Sequence, residues 1–347
     1  MSDELNRNEL IYIQLANLIR NEIAHGEKEK VASLRDLAYR FSVNYKTVNK
    51  AINILIEEGS LYRVRGKGTF VNRNKVNPIE NLRIGFLIPN IINPYFAYLA
   101  HITESIAFKQ NIIITVATTG DNSDKITTIM KEFKSQGINI IILHGGVLKT
   151  GVGLNVISKF GIPIVGMHCD LDTIDNVSPD LRRAAFLGTD YLISKYGSQI
   201  GYVSGSIDPI YETGRFFGYK EAFQHNNAQI NNDFILQADP TFRGGYLSAS
   251  QFIKRDVLPR AILFYNEIMA MGAISAFQEK GLQIPDEIAI MGIDYSIPTD
   301  QMLIPIPTVS LENLIVAQST LDLCKRRVAD PTAEQIRKKI APLLIVR

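Results

Sequence analysis

The sequence has no tryptophan and only two cysteines, Cys169 and Cys324, among its 347 residues. Neither cysteine stands in a C-x-x-C motif, and neither forms a metal-binding Cys/His spacing. Free thiols are therefore predicted rather than disulfides or a zinc site. No apolar run reaches the ~18 residues that cross a bilayer. The start, MSDELNRNEL, also lacks the basic and apolar regions of a signal peptide. We therefore expect a soluble, cytoplasmic protein with no membrane partner.

The motifs of several enzyme classes are missing as well. The sequence has no G-x-x-x-x-G-K-[ST], no G-x-G-x-x-G after a predicted strand, no G-x-S-x-G and no H-E-x-x-H. Of its five histidines, only His144 and His168 are expected near one cleft, where hydrogen bonding is favoured over catalysis. The prediction is a protein with no catalytic residue, no metal and no cofactor, and a sugar-modifying enzyme is the less favoured alternative.

Charge is low overall but unevenly distributed. The net charge is +2, and 46% of the residues are apolar, which is ample for the buried cores of two or three domains. Residues 1–75 carry 13 Lys and Arg against 9 Asp and Glu, whereas the rest of the chain carries 24 against 26. The basic N-terminal part, called the head below, is therefore the candidate for binding an acidic partner.

The head has the pattern of three helices followed by a hairpin. Apolar residues at helical spacing predict a first helix from Ile11 to Ile23. Ser33 is predicted to cap a second helix with Asp36, and a third helix is expected from about Tyr45 to Glu58. Two short strands are expected within 61–71, joined at a glycine-rich tip. This order is typical of a winged helix-turn-helix.

The third helix carries side chains that suit nucleic acid. Amide, hydroxyl and cationic groups form hydrogen bonds with base edges and phosphates in a major groove. On its polar side stand Asn44, Tyr45, Lys46, Thr47, Asn49, Lys50 and Asn53. The alternative is an ordinary solvated helix face. DNA binding is favoured because residues 33–75 carry 9 Lys and Arg against 3 acidic residues.

The head resembles the GntR family of bacterial transcription regulators. The resemblance rests on Ile11-Tyr12-x-Gln14, Ser33-Leu34-Arg35-x-Leu37-Ala38, Thr47-Val48, Glu58-Gly59-x-Leu61 and Gly66-x-Gly68-Thr69-Phe70-Val71. It implies that Arg35 contacts phosphate and that Tyr45, Lys46, Thr47, Asn49 and Lys50 face the major groove. It also implies that the wing Gly66-Lys67-Gly68 enters the minor groove, and Arg65 beside it is a further predicted DNA-binding residue.

Beyond the head, short apolar runs alternate with amphipathic helical stretches. The runs predicted as strands are Arg83 to Ile88, Ile112 to Thr118, Asn139 to His144, Ile162 to Met167, Ile200 to Ser204, Phe234 to Ala238, Ala261 to Tyr265 and Ile288 to Ile293. Such runs are typical of parallel sheets covered by helices. We expect a linker at 76–82 and an effector domain at 83–347. Its lobe one is expected at 83–178 and 309–327, and its lobe two at 179–308 and 328–347, each with a doubly wound parallel sheet.

Candidate ligand-binding residues follow the predicted strands. Ligands of such sheets bind outside the carboxyl ends of the strands. The candidates at or after those ends are Asn93, Tyr95, Phe96, His144, His168, Arg215, Asn266 and Asp294. Guanidinium, amide and carboxylate groups beside aromatic faces suit a polyhydroxylated ligand. Structural roles are the alternative, since Asn93 fits a turn, Asp294 fits a helix cap and Arg215 fits an ion pair with Glu212.

Residues 83–347 resemble the LacI-type effector domain, which shares its fold with periplasmic sugar-binding proteins. The motifs are Ile162-Pro-Ile-Val165, Gly201-Tyr-Val-Ser-Gly205, Gly281-Leu-Gln-Ile-Pro285 and Leu343-Leu-Ile-Val-Arg347. With the GntR-like head, the chain is similar to the arabinose-repressor type of hybrid. The resemblance implies a homodimer that binds operator double-stranded DNA and is controlled by a small-molecule effector, a monosaccharide, bound between the lobes.

The expected function is repression of a carbohydrate-utilisation operon, relieved by the sugar. The same architecture sensing a purine or another small metabolite, or acting as an activator, is left open. A further alternative is a sensor whose basic head docks on protein instead of DNA.

Overall fold

The computed structural model describes residues 11–25, 29–72, 82–120, 122–150, 153–169, 171–205, 209–255, 257–294 and 303–346. The expected linker, 76–82, lies outside these ranges except for Leu82. The helices are α1 (Ile11–His25), α2 (Leu34–Arg40), α3 (Tyr45–Glu57), α4 (Pro94–Phe108), α5 (Ser123–Ser135), α6 (Gly153–Ser158), α7 (Leu181–Tyr196), α8 (Pro209–His225), α9 (Phe242–Ile253), α10 (Glu267–Glu279) and α11 (Asn313–Ala329). Short 3-10 helices span Gly145–Thr150 and Asn232–Phe234.

The strands follow the same chain-order numbering. They are β1 (Leu61–Val64), β2 (Gly68–Val71), β3 (Arg83–Ile88), β4 (Ile113–Thr118), β5 (Ile140–His144), β6 (Ile164–Met167), β7 (Asp175–Pro179), β8 (Ile200–Ser204), β9 (Ile235–Gln237), β10 (Ala261–Phe264), β11 (Ala289–Asp294), β12 (Thr308–Ser310), β13 (Arg337–Ile340) and β14 (Leu343–Ile345). All eight predicted runs coincide with strands. Four further strands of the described chain, β7, β12, β13 and β14, were not predicted.

The head folds as a winged helix-turn-helix, as predicted. Its three helices and hairpin share one core, which consists of Leu15, Ala16, Ile19, Ile23, Leu37, Val48, Ala51, Ile52, Leu55, Leu61 and Val71. Ser33 Oγ accepts a hydrogen bond from the Asp36 backbone N–H and donates one to the Asp36 carboxylate, which confirms the predicted cap of α2. The hairpin β1–β2 gains a third extended segment, because Val31 N–H donates to Thr69 O and Val71 N–H to Glu29 O.

The remainder forms two six-stranded sheets with helices on their faces. The first sheet has the order β13-β7-β6-β5-β3-β4, and all its pairs are parallel. The second sheet has the order β14-β12-β11-β10-β8-β9 and is parallel except for the β12–β14 pair. Helices α4 and α11 pack on the first sheet, whereas α7 packs on the second. These two sheets confirm the predicted pair of doubly wound lobes.

The C-terminal segment departs from the expected lobe assignment. Residues 328–347 were expected in lobe two, but β13 lies in the first sheet beside β7, and only β14 joins the second sheet. Strand β13 has the charged sequence RKKI at a sheet edge, so it lacks the apolar run that identifies a buried strand. The buried Asp175 holds this segment, because its carboxylate accepts hydrogen bonds from Arg327 Nε and the Ile336 N–H at 2.7 Å each.

The chain therefore passes between the lobes three times, from β7 to α7, from β12 to α11 and from β13 to β14. These crossings make the lobes two halves of one unit, with the carboxyl ends of the strands facing the junction. In the part of the chain that the structure describes, every helix is too short or too polar to cross a bilayer.

Candidate functional site

The recognition helix α3 is fixed by its apolar side and presents its polar side outward. Asn44 caps it, because Asn44 Oδ1 accepts the Lys46 N–H at 2.9 Å. The predicted DNA-contacting residues of this helix are exposed or half-buried, and these are Tyr45, Lys46, Thr47, Asn49 and Lys50. Lys50 Nζ lies 5.3 Å from the ring centroid of Tyr12, an arrangement that steadies the cation at the surface.

The wing and the start of α2 also expose their predicted contact residues. Arg35 is exposed in the first turn of α2, and Arg65, Gly66, Lys67 and Gly68 are exposed at the hairpin tip. Gly66 and Gly68 have φ angles of 75° and 119°, so the tip adopts a backbone that glycine tolerates best. The structure thus leaves every predicted DNA-contacting side chain accessible.

Two further head residues were not singled out from the sequence. Arg63 Nη2 donates to Asn49 Oδ1 at 2.6 Å, which ties the wing to the recognition helix. Lys30 Nζ lies 5.8 Å from the Phe70 ring centroid and adds a cation beside the wing. Their basic character was visible in the sequence, but their partners depend on the fold.

The strand ends of both lobes meet at one place, which we call the cleft. It is lined by Asn93, Pro94 and Tyr95 from lobe one and by Asn266, Glu267, Ile268 and Asp294 from lobe two. The space between these described residues is about 170 Å³, including the part that is open to solvent.

Lobe one contributes four rings in mutual contact. Tyr95 Oη lies 3.0 Å from His168 Nδ1 and 3.1 Å from its Nε2. The two imidazoles of His144 and His168 are stacked with centroids 5.4 Å apart, and Phe96 meets His144 edge to face at 5.0 Å. His144 Nδ1 accepts the Gly146 N–H at 2.9 Å, which places its proton on Nε2 when it is neutral. This cluster offers flat apolar surfaces with polar edges.

Lobe two contributes a buried ion pair. Arg215 Nη2 lies 3.0 Å from Asp294 Oδ1, and both side chains are less than a tenth exposed. The guanidinium stacks on Tyr265 with its carbon 4.0 Å from the ring centroid. Asn313 Nδ2 donates to the Asp294 carbonyl at 3.1 Å and so fixes the backbone at the end of β11. Glu212 was the alternative partner expected for Arg215, and its side chain lies outside the part of the chain that the structure describes.

Burial shifts the pKa values of the groups that face the cleft. Desolvation raises the Asp294 pKa to about 6, although the neighbouring Arg215 partly opposes the shift. Desolvation, followed by the charges of His144 and Arg215, lowers the His168 pKa well below its usual value. Burial, with a contribution from the Asp294 charge, raises the Tyr95 pKa. At neutral pH the cleft therefore holds one ion pair, a neutral His168 and a neutral Tyr95.

Backbone strain occurs on both sides of the cleft. His168 has φ 51° and Asp294 has φ 121°, values that non-glycine residues seldom adopt. A Cβ on Gly145 would overlap the His168 carbonyl oxygen, so the turn after β5 packs tightly against His168. Such conformations cluster at ligand-binding sites, where the surrounding structure holds them.

Two predicted ligand-binding residues use their side chains as helix caps. Asn93 Oδ1 accepts the Tyr95 N–H at 3.0 Å at the start of α4. Asn266 Oδ1 accepts the Met269 N–H at 3.0 Å at the start of α10, and its Nδ2 donates to Pro240 O. Both residues line the cleft, but the side-chain oxygen of each already accepts a backbone N–H, a structural role of the kind the alternative for Asn93 foresaw.

Tyr265, Asn313 and Glu267 complete the cleft and were missing from the predicted site. Tyr265 is the last residue of a predicted strand, Ala261 to Tyr265, so its position at the carboxyl end was a usable signal. Asn313 follows β12, which was not recognised as a strand. Glu267 is buried, and its Oε1 accepts the Thr308 hydroxyl at 2.6 Å. In the described residues, no group of three or more His, Cys, Asp or Glu side chains is placed to hold a metal ion.

Comparisons with known proteins agree with this architecture. A family model for periplasmic binding proteins and the sugar-binding domain of the LacI family matches residues 81–345. A model for bacterial regulatory proteins of the gntR family matches residues 11–71. A relative from Histophilus somni (strain 129Pt), HTH-type transcriptional repressor PurR, is 26% identical over 330 residues, covering 91% of this chain and 98% of the relative.

Solved structures show the same fold. A LacI family transcriptional regulator from Enterococcus faecium with bound ribose has a TM-score of 0.67 at 21% identity, covering 76% of this chain and 97% of that chain. The transcriptional regulator CelR in complex with cellobiose has a TM-score of 0.68 at 16% identity, covering 98% of this chain and 99% of that chain.

The family match extends over more than half of the chain, and the gntR match covers the described head. The chain therefore belongs to the family of LacI-type regulators with a periplasmic-binding-protein-like sugar-binding domain, and it is a DNA-binding regulator with a gntR-type head.

Proposed function

We propose that this regulator is a homodimeric, non-catalytic repressor of carbohydrate-utilisation genes, acting in the cytoplasm and released from its operator when a small sugar binds in the cleft. The observation that carries the proposal is the meeting of the Arg215–Asp294 pair with the rings of Tyr95 and His168 at the carboxyl ends of strands from both lobes. The same chain carries the head, which presents exposed cationic and amide side chains.

The chemistry of the cleft suits a neutral sugar. Asp294 accepts and Arg215 donates hydrogen bonds, which matches the vicinal hydroxyls of a sugar. Tyr95, Phe96 and the histidine rings offer surfaces for the C–H face of a pyranose or furanose ring. Two structural relatives hold sugars, one ribose and one cellobiose.

Coupling to DNA follows from the three chain crossings between the lobes. A ligand that contacts both lobes binds the closed arrangement better than the open one and so shifts the population toward closure. Closure reorients the lobes at the crossings and changes the separation of the two heads in the dimer. A coupling of about 1–3 kcal/mol changes operator affinity by about 5- to 150-fold.

In the dimer, the two recognition helices would lie about one DNA turn apart on a near-palindromic operator. The expected base and phosphate contacts are Arg35, Tyr45, Lys46, Thr47, Asn49, Lys50, Arg65 and Lys67, with Gly66 and Gly68 allowing the wing to approach the backbone. The outward position of these residues supports this part of the proposal.

A purine effector is the second candidate. It is favoured by the similarity to repressors named PurR, which extends over 91% of this chain at 26% identity. The rings of Tyr95 and Phe96 would stack on a nucleobase, and Arg215 and Asp294 would bond to its edge. The two candidates share the cleft and the DNA-binding function and differ only in the ligand.

The test is a thermal-shift panel of monosaccharides and nucleobases on the full chain, followed by operator binding with each compound that binds. A ligand at 100 times its dissociation constant stabilises the fold by about 2.7 kcal/mol. We expect one sugar to raise the melting temperature and to weaken binding to the duplex upstream of the protein's own operon. A nucleobase that does both selects the second candidate. A ligand that binds but leaves operator affinity unchanged contradicts the coupling.

A further inference from the structure

Arg63 is placed to control what the recognition helix reads. It lies on β1, where side chains alternate in direction, on the same side as the buried Leu61 and therefore toward the head's helices. Its Nη2 donates to Asn49 Oδ1 at 2.6 Å, a short charge-assisted contact between exposed and half-buried side chains. The wing thus holds a residue of the recognition helix that is itself a candidate for base contact.

The hydrogen bond fixes the orientation of the Asn49 amide. Arginine has N–H donors only, so the Asn49 atom that faces Arg63 has to be the carbonyl oxygen. The Asn49 NH2 group then points away from Arg63, with its two donors available for a base. The remaining guanidinium N–H groups of Arg63 are donors as well. Together the two side chains form a surface that donates hydrogen bonds.

We infer that Arg63 and Asn49 act as one base-reading unit that selects guanine, an inference that rests on the proposed operator binding. Asparagine alone pairs with adenine through one donor and one acceptor. Arg63 occupies one of the two acceptor sites of the Asn49 oxygen, and an adenine amino group that approached the other would face the Arg63 charge and its N–H donors, so adenine is disfavoured. Guanine presents two acceptors, N7 and O6, in the major groove, and matches a pair of donors.

The inference assigns different roles to two arginines of the same hairpin. Arg63 reads a base through Asn49, whereas Arg65, two residues on, stands at the exposed tip and is expected to contact the DNA backbone. Replacing a base-reading side chain relaxes specificity at one position, whereas replacing a phosphate-binding side chain weakens all sequences equally. Arg65 is therefore the matched control.

The experiment selects bound duplexes from a random-sequence pool with the full-length protein. The best site is then tested with a single G-to-A change at each enriched guanine in turn. We expect the wild type to prefer guanine at one position of each half-site by about tenfold. Arg63→Ala is expected to reduce that preference to twofold or less, or to reverse it toward adenine because Asn49 is released. Arg65→Ala is expected to keep the tenfold preference while weakening binding to both duplexes.

Asn49→Ala provides the second variant. If the two residues act together, Asn49→Ala loses the same guanine preference, and the double variant is no worse than either single change. The inference is overturned if Arg63→Ala weakens both duplexes equally and keeps the preference, which would make Arg63 a phosphate contact. If the wild type enriches no sequence at all, the proposed operator binding itself fails. An unchanged melting temperature of each variant shows that the head remains folded.

Discussion

The head and the cleft use the same kinds of side chain in opposite surroundings. In the head, cationic and amide groups lie at the surface, as Lys46, Lys50 and Lys67 do. In the cleft, Arg215 and Asp294 are buried and paired with each other. An exposed charge interacts with a partner through water and is screened by salt, whereas a buried pair is desolvated and much less screened.

This difference suits DNA and the proposed sugar. DNA is a polyanion whose binding releases counterions, so exposed cations give strong but salt-dependent affinity. A neutral sugar offers no net charge, and its recognition depends on oriented hydrogen bonds in a dry site. The comparison therefore predicts that a substitution in the cleft lowers effector affinity strongly and independently of the salt concentration. A substitution in the head should lower DNA affinity less, by an amount that depends on the salt concentration.

The largest effect is expected from breaking the buried pair. Arg215→Met leaves the buried Asp294 carboxylate without this cation, and removing one partner of a buried pair costs about 3–5 kcal/mol of stability. The effector affinity is expected to fall by at least about 100-fold, while the folded variant still binds the operator. Calorimetric titration with the effector and duplex-binding assays measure the two outcomes.

The matched control replaces both partners. In Arg215→Met with Asp294→Asn no buried charge is left unpaired, and asparagine tolerates the φ of 121° at this position better than an apolar side chain does. The double variant should regain the melting temperature and still ignore the effector. A double variant that responds normally to the effector would remove the pair from the binding site.

The second effect is a pH dependence confined to the cleft. Because burial raises the Asp294 pKa to about 6, acidification protonates the carboxylate, which removes its charge and turns one of its two oxygens from an acceptor of the proposed sugar's hydroxyls into a donor. Effector affinity is expected to fall by about tenfold between pH 7.5 and pH 5. Burial, followed by the charges of His144 and Arg215, lowers the His168 pKa and so favours its neutral form.

The folding free energy changes in the opposite direction. The raised Asp294 pKa means that the folded state takes up a proton more readily than the unfolded chain, so this contribution to stability is present at low pH and is lost as the pH rises through about 6. Asp294→Asn should abolish the pH dependence of any effector binding that remains. Effector affinity that is flat from pH 7.5 to 5 in the wild type contradicts the role of the carboxylate.

The same contrast explains how much could be predicted from the sequence. The head was predictable almost completely, because caps such as Ser33 with Asp36 and the glycines of the wing act within a few residues. In the cleft, the position of Asp294 at a strand end was predictable, since parallel strands bring their carboxyl ends to one edge. The pairing of Asp294 with Arg215, 79 residues away, could not be predicted, because the sequence around Arg215 also fitted an ion pair with Glu212.

Short and charged strands set the other limit. β13 has no apolar run, so its place in the first sheet depends on pairing with β7 and on Asp175, more than 150 residues away. Asn266 follows a strand as a ligand-binding residue would, yet its oxygen caps α10. A strand-end position therefore predicts which residues gather at the cleft. Only the fold shows which of their polar atoms already have hydrogen-bond partners.

The smallest effect is expected from single lysines of the head. Lys50→Ala or Lys67→Ala removes one candidate phosphate contact in each subunit of the dimer, and each lost contact should lower the slope of log affinity against log salt by about 0.9 and weaken operator binding by about fivefold at 0.15 M salt. Effector affinity should not change.

Lys195→Ala is the matched control, because Lys195 is an exposed lysine of α7 that donates to Tyr191 Oη and lies outside the head. Since it removes the same charge, an equal loss of operator affinity in Lys195→Ala would mean that net charge rather than the recognition helix and wing binds the DNA. If instead both head substitutions lower the slope and Lys195→Ala does not, each exposed lysine of the head contacts a phosphate of its own.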